Sequence, residues 1–118
     1  MRALAQMVCA DMHPLHTTRV IDYLRGLLSL DQASVDCWIA HWTRSGLRAI
    51  EGLICDDGYC VGSTVTMADI FLVPEVYAAR RFKVDLEPFG KIRNVEERCS
   101  GLTPFQLAHP SRQPDAVR

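Results

Sequence analysis

The stretch VTMADIFLVPEVY, Val65 to Tyr77, carries the sharpest structural signal in the chain. Thr66 and, three positions on, Asp69 fit a variant of the capping box, in which a hydroxyl and an acidic side chain each bond an amide at a helix N-terminus. Val65 and Ile70 stand at the two positions of a hydrophobic staple. From Met67 to Tyr77 the segment is apolar on nearly every side, with Asp69 and Glu75 its only charges. That pattern predicts a central helix surrounded by others. Pro74 lacks the N–H that would bond the carbonyl of Ile70, and predicts a bend there.

The flanking segments are also helical in pattern. Leu4, Met7, Val8, Met12 and Leu15 recur every three or four residues. Pro14 then removes a backbone donor, and the stripe resumes at Val20, Leu24, Leu27 and Leu28, which predicts a kink near His13 and Pro14. Val35, Trp38, Ile39, Trp42, Ala49, Ile50, Leu53 and Ile54 share one face of a long helix, with Ser34 as N-cap and Gly58 as its stop. Gly46 lies on the same face. A helical glycine costs about 1 kcal/mol relative to alanine, so its place on the buried stripe predicts that another helix comes close. Beyond Tyr77, a turn near Lys83 to Pro88 leads to a shorter helix ending near Cys99. Thr103 and Pro104 then open a last helix as N-cap and first residue. The tail HPSRQPDAVR is polar and expected to be extended. Nowhere do apolar residues alternate strictly, as a half-buried strand requires. The expected fold is all-α, a helical bundle forming a single domain over residues 1–118.

A chain of 118 residues, 48% hydrophobic and 23% charged, can close one core without staples. Its net charge of −1 excludes a field that would draw it to nucleic acid or an anionic membrane, and the run Arg80, Arg81 and Lys83 is too short for a nucleic-acid patch. No run approaches the roughly 18 apolar residues that span a bilayer, and the opening residues lack a signal-peptide pattern, so a cytoplasmic location is expected. Cys9, Cys37, Cys55, Cys60 and Cys99 are odd in number and irregularly spaced, which predicts reduced thiols, mostly buried. Cys9, His13 and His16 share a helical face at metal-ligand spacing, but Pro14 interrupts that face and no carboxylate completes the set. No metal site is expected. Trp38, His41 and Trp42 suggest an aromatic box, but the two tryptophans are read as core side chains of the long helix.

The segments ALAQMVCADMHPL, WIAHW, GLRAIEGL, YCVGSTVTMADIFLVPEVYAARRFKVDLEPF and FQLAHPSRQPD together resemble the zeta class of glutathione transferases. The capped helix start is shared by many transferase classes, whereas ARRFKVDL and HPSRQPD are close to zeta-class signatures. The resemblance covers essentially the whole chain. It implies the C-terminal helical domain of a two-domain, homodimeric, cytosolic enzyme. Such an enzyme isomerises maleylacetoacetate or maleylpyruvate, in aromatic-compound breakdown, to the fumaryl product, with glutathione as a cofactor that is not consumed. The family's serine and cysteine motif, on a thioredoxin-like N-terminal domain, has no match here. No catalytic residue is therefore expected in this domain, and the isolated chain is expected to be inactive. The alternative is a noncatalytic helical module serving as a binding or dimerisation scaffold. Without a covering lobe, the first and third helices should show apolar residues to water.

A dicarboxylate substrate calls for fixed cations, and arginine offers a planar, two-pronged donor. Arg81 lies eleven residues after Ile70, about 20° around the helix from it, so a charge sits on or beside an apolar stripe. A helix C-terminal cation, or a pair with Asp85, would also explain it. The resemblance assigns Arg81 to the substrate carboxylate, and leaves Arg80 as solvated. It places a second carboxylate-binding arginine at Arg19, for which an exposed pair with Asp22 is the alternative. His13 matches the family's donor to the glycyl carboxylate of glutathione across the dimer, or else bonds only at the kink. Thr17 falls among the glutathione contacts, although His16 and Thr17 replace a frequent pair of asparagines.

Overall fold

The computed structural model describes residues 1–117, and among them there is no strand. Six α-helices follow one another: α1 (Arg2–Gln6), α2 (Thr18–Arg25), α3 (Gln32–Leu53), α4 (Met67–Arg81), α5 (Gly90–Ser100) and α6 (Thr103–Ala108). Between α1 and α2 the chain loosens into π-helix over Met7–Met12 and tightens into a 3-10 turn over His13–Leu15. The kink expected at Pro14 is therefore a graded break, and the wide turns begin before the proline.

Apolar residues from every long element meet in one core. Leu4, Val8 and Met12 of the opening segment pack with Leu47 and Ile50 of α3, Leu72 and Val76 of α4, and Ile92 and Val95 of α5. A satellite cluster joins Ile21 and Leu24 of α2 to Val35 and Ile39 of α3. α4 is the centre, as its composition predicts, but one of its faces is open: Ile70 is 57% exposed, and Met67 and Phe71 are also exposed. The staple position Ile70 thus faces water. Pro74 sits inside α4 without ending it.

The start of α4 matches the reading from sequence. The Thr66 side chain accepts from the Ala68 amide at 3.3 Å and Asp69 Oδ2 accepts from the Thr66 amide at 2.7 Å, closing the capping box. Other boundaries shift for local reasons. Asp31, not Ser34, caps α3, its carboxylate accepting the Ser34 amide at 2.8 Å. α3 ends at Leu53 because Ile54 turns extended, four residues before Gly58, whose φ of 111° serves the following loop. Leu27 and Leu28 are exposed, because α2 stops at Arg25 and Gly26 takes the chain off the stripe. Ala49, Leu53 and Trp42 also lie outside the core. Thr103 is the first residue of α6 rather than its cap. The tail is folded, not extended: Pro110–Arg112 form a 3-10 turn, and the Gln113 amide group donates to the carbonyls of Leu107 and His109.

Three of the five thiols, Cys9, Cys37 and Cys55, are exposed, contrary to the expectation of mostly buried cysteines, and all five are free. Burial raises the Cys99 pKa to about 11, with the charge of Asp69 adding to it. Burial, reinforced by Asp69, raises Cys60 further still. Both are core packing groups.

Gly46 confirms its predicted role. A Cβ at this position would lie 2.3 Å from the Met12 sulfur, inside the crossing of α3 and the opening segment. Gly46→Ala gains about 1 kcal/mol of helix propensity. Overpacking against the enclosed Met12 costs roughly 1–3 kcal/mol and should dominate. The expected result is a net loss of about 1 kcal/mol in urea unfolding; a stabilised variant would contradict the close crossing.

Candidate functional site

The break between α1 and α2 sets two imidazoles against α4. Trp38 of α3 fixes the break by donating its indole N–H to the Leu15 carbonyl at 2.7 Å. His16 is buried, with its Nε2 2.6 Å from Glu75 Oε1. Glu75 is buried as well, at 1% side-chain exposure, and its other oxygen lies 3.6 Å from Nδ1 of the exposed His13. Burial works to lower the His16 pKa, but the hydrogen bond and charge of Glu75 outweigh it and the net direction is upward. The two side chains thus form a short, buried hydrogen bond in a water-poor site. Glu75 was visible in sequence as one of two charges in an apolar helix; its partner, 59 residues earlier, was not.

A row of depressions follows the open face of α4. The first, of about 360 Å³, is lined by Val8, Cys9, His13, Phe71 and Glu75 and shares Ile70 and Pro74 with the second, of about 300 Å³. The second shares Tyr77, Ala108 and Pro110 with a third of about 520 Å³, which Arg81 borders. His13 borders the first member of this row and Arg81 the third, whose lining adds Ser111, Gln113 and Asp115; Arg81 also borders a separate depression with His16, Asp22 and Asp36. The apolar exposure expected on the opening helix and on the helix from Met67 is found on the latter, at Met67, Ile70 and Phe71 of α4, whereas Leu4, Ala5, Val8 and Met12 of the opening segment are buried.

Arg81 is exposed and pairs with no carboxylate among the described residues. Asp85, the alternative partner, instead accepts the Glu87 amide at 3.0 Å. Arg81 shares its face with Ile70, and that face is the open one. Arg80, expected to be solvated, forms a two-pronged pair with Glu96 of α5, at 2.9 and 2.6 Å. Arg19 is exposed, forms no pair with Asp22 and lines none of the three depressions. Thr17, half-buried, donates its hydroxyl to the Pro14 carbonyl at 3.4 Å. The geometry places His13 and Arg81 on different members of one row of depressions, and leaves Arg19 and Thr17 beside the break.

No protein-family model matches the chain. Maleylpyruvate isomerase of Ralstonia sp is 42% identical over 98% of the chain and 57% of its own length. The solved holo structure of a maleyl pyruvate isomerase, a bacterial glutathione S-transferase of the zeta class, superposes with a TM-score of 0.95 at 42% identity, over 98% of this chain and 57% of that one. The chain matches the C-terminal part of the zeta-class glutathione transferases. It spans little more than half the length of the relatives it matches. Another structural neighbour is the maleylacetoacetate isomerase of Anaeromyxobacter dehalogenans. It matches with a TM-score of 0.91 at 40% identity over 98% of this chain and 52% of its own, and carries dicarboxyethyl glutathione and citrate in its active site.

Proposed function

We propose that this chain is the substrate-side domain of a glutathione-dependent isomerase that converts maleylacetoacetate or maleylpyruvate to the fumaryl isomer in aromatic-compound breakdown. The observation that carries the reading is the row of depressions along α4, with the His13 imidazole bordering its first member and the Arg81 guanidinium its last. A peptide cofactor with terminal carboxylates and a dicarboxylate substrate both fit such a groove.

Bound glutathione supplies the nucleophilic thiolate for this chemistry. Arg81, free of any internal partner among the described residues, grips the substrate carboxylate and favours the negative charge that develops beside it. His13 donates to a cofactor carboxylate at the other end, its ring braced against His16 at a centroid distance of 5.1 Å. Arg19 and Thr17 complete the anion contacts, in this reading, from the break before α2. Homodimeric assembly and a cytoplasmic location belong to the same proposal. No described helix is long and apolar enough to cross a membrane.

The test fuses the N-terminal half of the Ralstonia isomerase to this chain and measures glutathione-dependent isomerisation of both maleyl substrates. Activity in the fusion, with none in the isolated chain beyond that of free glutathione, is the expected result. A fusion that binds glutathione yet isomerises neither compound would favour the scaffold reading.

A further inference from the structure

The sequence pattern of Cys9, His13 and His16 lacks a carboxylate, and the fold supplies one from a different helix. The nearest ligand atoms of His13, His16 and Glu75 all lie within 4.8 Å of one another. We propose that these three side chains form a binding site for a divalent transition-metal ion of the Zn2+ type.

The geometry supports this in three ways. Metal–nitrogen and metal–oxygen bonds near 2.0–2.2 Å place the ligand atoms of a tetrahedral ion roughly 3.3 Å apart. The His16–Glu75 and Glu75–His13 separations are 2.6 and 3.6 Å, to different oxygens of Glu75, and all three ligand atoms lie within 4.8 Å, so an ion enters when the 2.6 Å hydrogen bond opens and the side chains rotate. Next, the buried pair accounts for His16 and one oxygen of Glu75 only. The second oxygen and the His13 nitrogen, 3.6 Å apart, are too far for a hydrogen bond and close enough to share an ion. Finally, the His13 and His16 rings meet edge to face at a centroid distance of 5.1 Å, and the break that carries both is held by the Trp38 bond to the Leu15 carbonyl. The rings are thereby positioned by the fold rather than by long, free side chains.

Access and ligand chemistry narrow the occupant. His13 is 60% exposed and lines the 360 Å³ depression, so an ion can enter there and keep a fourth position open to water or a small anion. Two imidazoles and one carboxylate suit Zn2+, Co2+ or Ni2+ and not Mg2+ or Ca2+, which require more oxygen ligands. The proposal does not rest on the isomerase reading, but an ion and a cofactor carboxylate at His13 exclude each other, so the site is tested in the absence of glutathione.

The experiment titrates zinc into the chelator-treated chain by calorimetry, with Co2+ as a spectroscopic probe. One ion per chain is expected, with the d–d absorption of a nitrogen and oxygen site and no thiolate charge-transfer band. His13→Asn, at an exposed position that leaves the core intact, should weaken zinc binding by at least about 100-fold, more than loss of a merely supporting group would. Glu75→Gln should abolish it, while Cys9→Ser should leave it unchanged. Absence of binding, binding undiminished in His13→Asn, or a thiolate band with Co2+ would each overturn the assignment.

Discussion

Asp69→Ala is expected to destabilise the protein by about 3–5 kcal/mol, a large value for a side chain that contacts no ligand. Asp69 is fully buried, and its carboxylate accepts three hydrogen bonds: from the Cys60 amide at 2.8 Å, the Thr66 amide at 2.7 Å and the Thr66 hydroxyl at 2.9 Å. The positive end of α4 faces the same carboxylate, which offsets part of the cost of burying it. Alanine would leave the Cys60 and Thr66 amides without acceptors, at about 1–3 kcal/mol each, and would remove the cap, worth about 1 kcal/mol. It would also release the loop that Asp69 pins between α3 and α4. Asp69→Asn keeps one acceptor oxygen and should lose roughly 1–2 kcal/mol. Urea unfolding followed by circular dichroism measures both. A loss below about 1 kcal/mol for the alanine variant would show that water replaces the lost acceptors.

This capping box also shows which parts of the structure a sequence can reveal. Thr66 and Asp69 are three residues apart, so their chemistry is written locally, and the start of α4 lies where it is expected. Gly46 was legible because a helix tolerates glycine poorly, which makes its place on a buried stripe informative. Glu51 was not legible. Its carboxylate accepts the amides of Lys91 and Ile92 at 2.8 and 3.0 Å, capping α5 from another helix, forty residues away. The His16–Glu75 pair was hidden for the same reason. Local spacing cannot tell which helices touch, and the carboxylate that seemed to be missing beside His13 and His16 sits on a neighbour. The exposure of Ile70 has a different origin. Its hydrophobic character marks it for burial, but the described residues contain nothing that covers that face of α4.

The largest functional effect is expected at Arg81. In the fusion that tests the isomerase reading, Arg81→Ala should lower kcat/KM by about 10²–10³ without changing the fold, the range for removing one hydrogen-bond donor to a developing anion. The separation of the two effects follows from the surroundings of the side chain. Arg81 is exposed and has no carboxylate partner among the described residues, so its removal leaves no buried charge unpaired and should shift stability by less than about 0.5 kcal/mol. Arg80 provides the converse. It grips Glu96 across two helices, so Arg80→Ala should cost a few tenths to about 1 kcal/mol and leave turnover intact. Arg81→Lys retains the charge but loses the planar fork, and should recover only part of the activity, with the deficit mainly in kcat if the two-pronged grip tightens as charge develops. Steady-state kinetics on the three variants, beside their unfolding curves, decides the matter. If Arg81→Ala isomerises within about threefold of the parent, the guanidinium serves only the helix C-terminus, whose dipole would favour a cation there in any case.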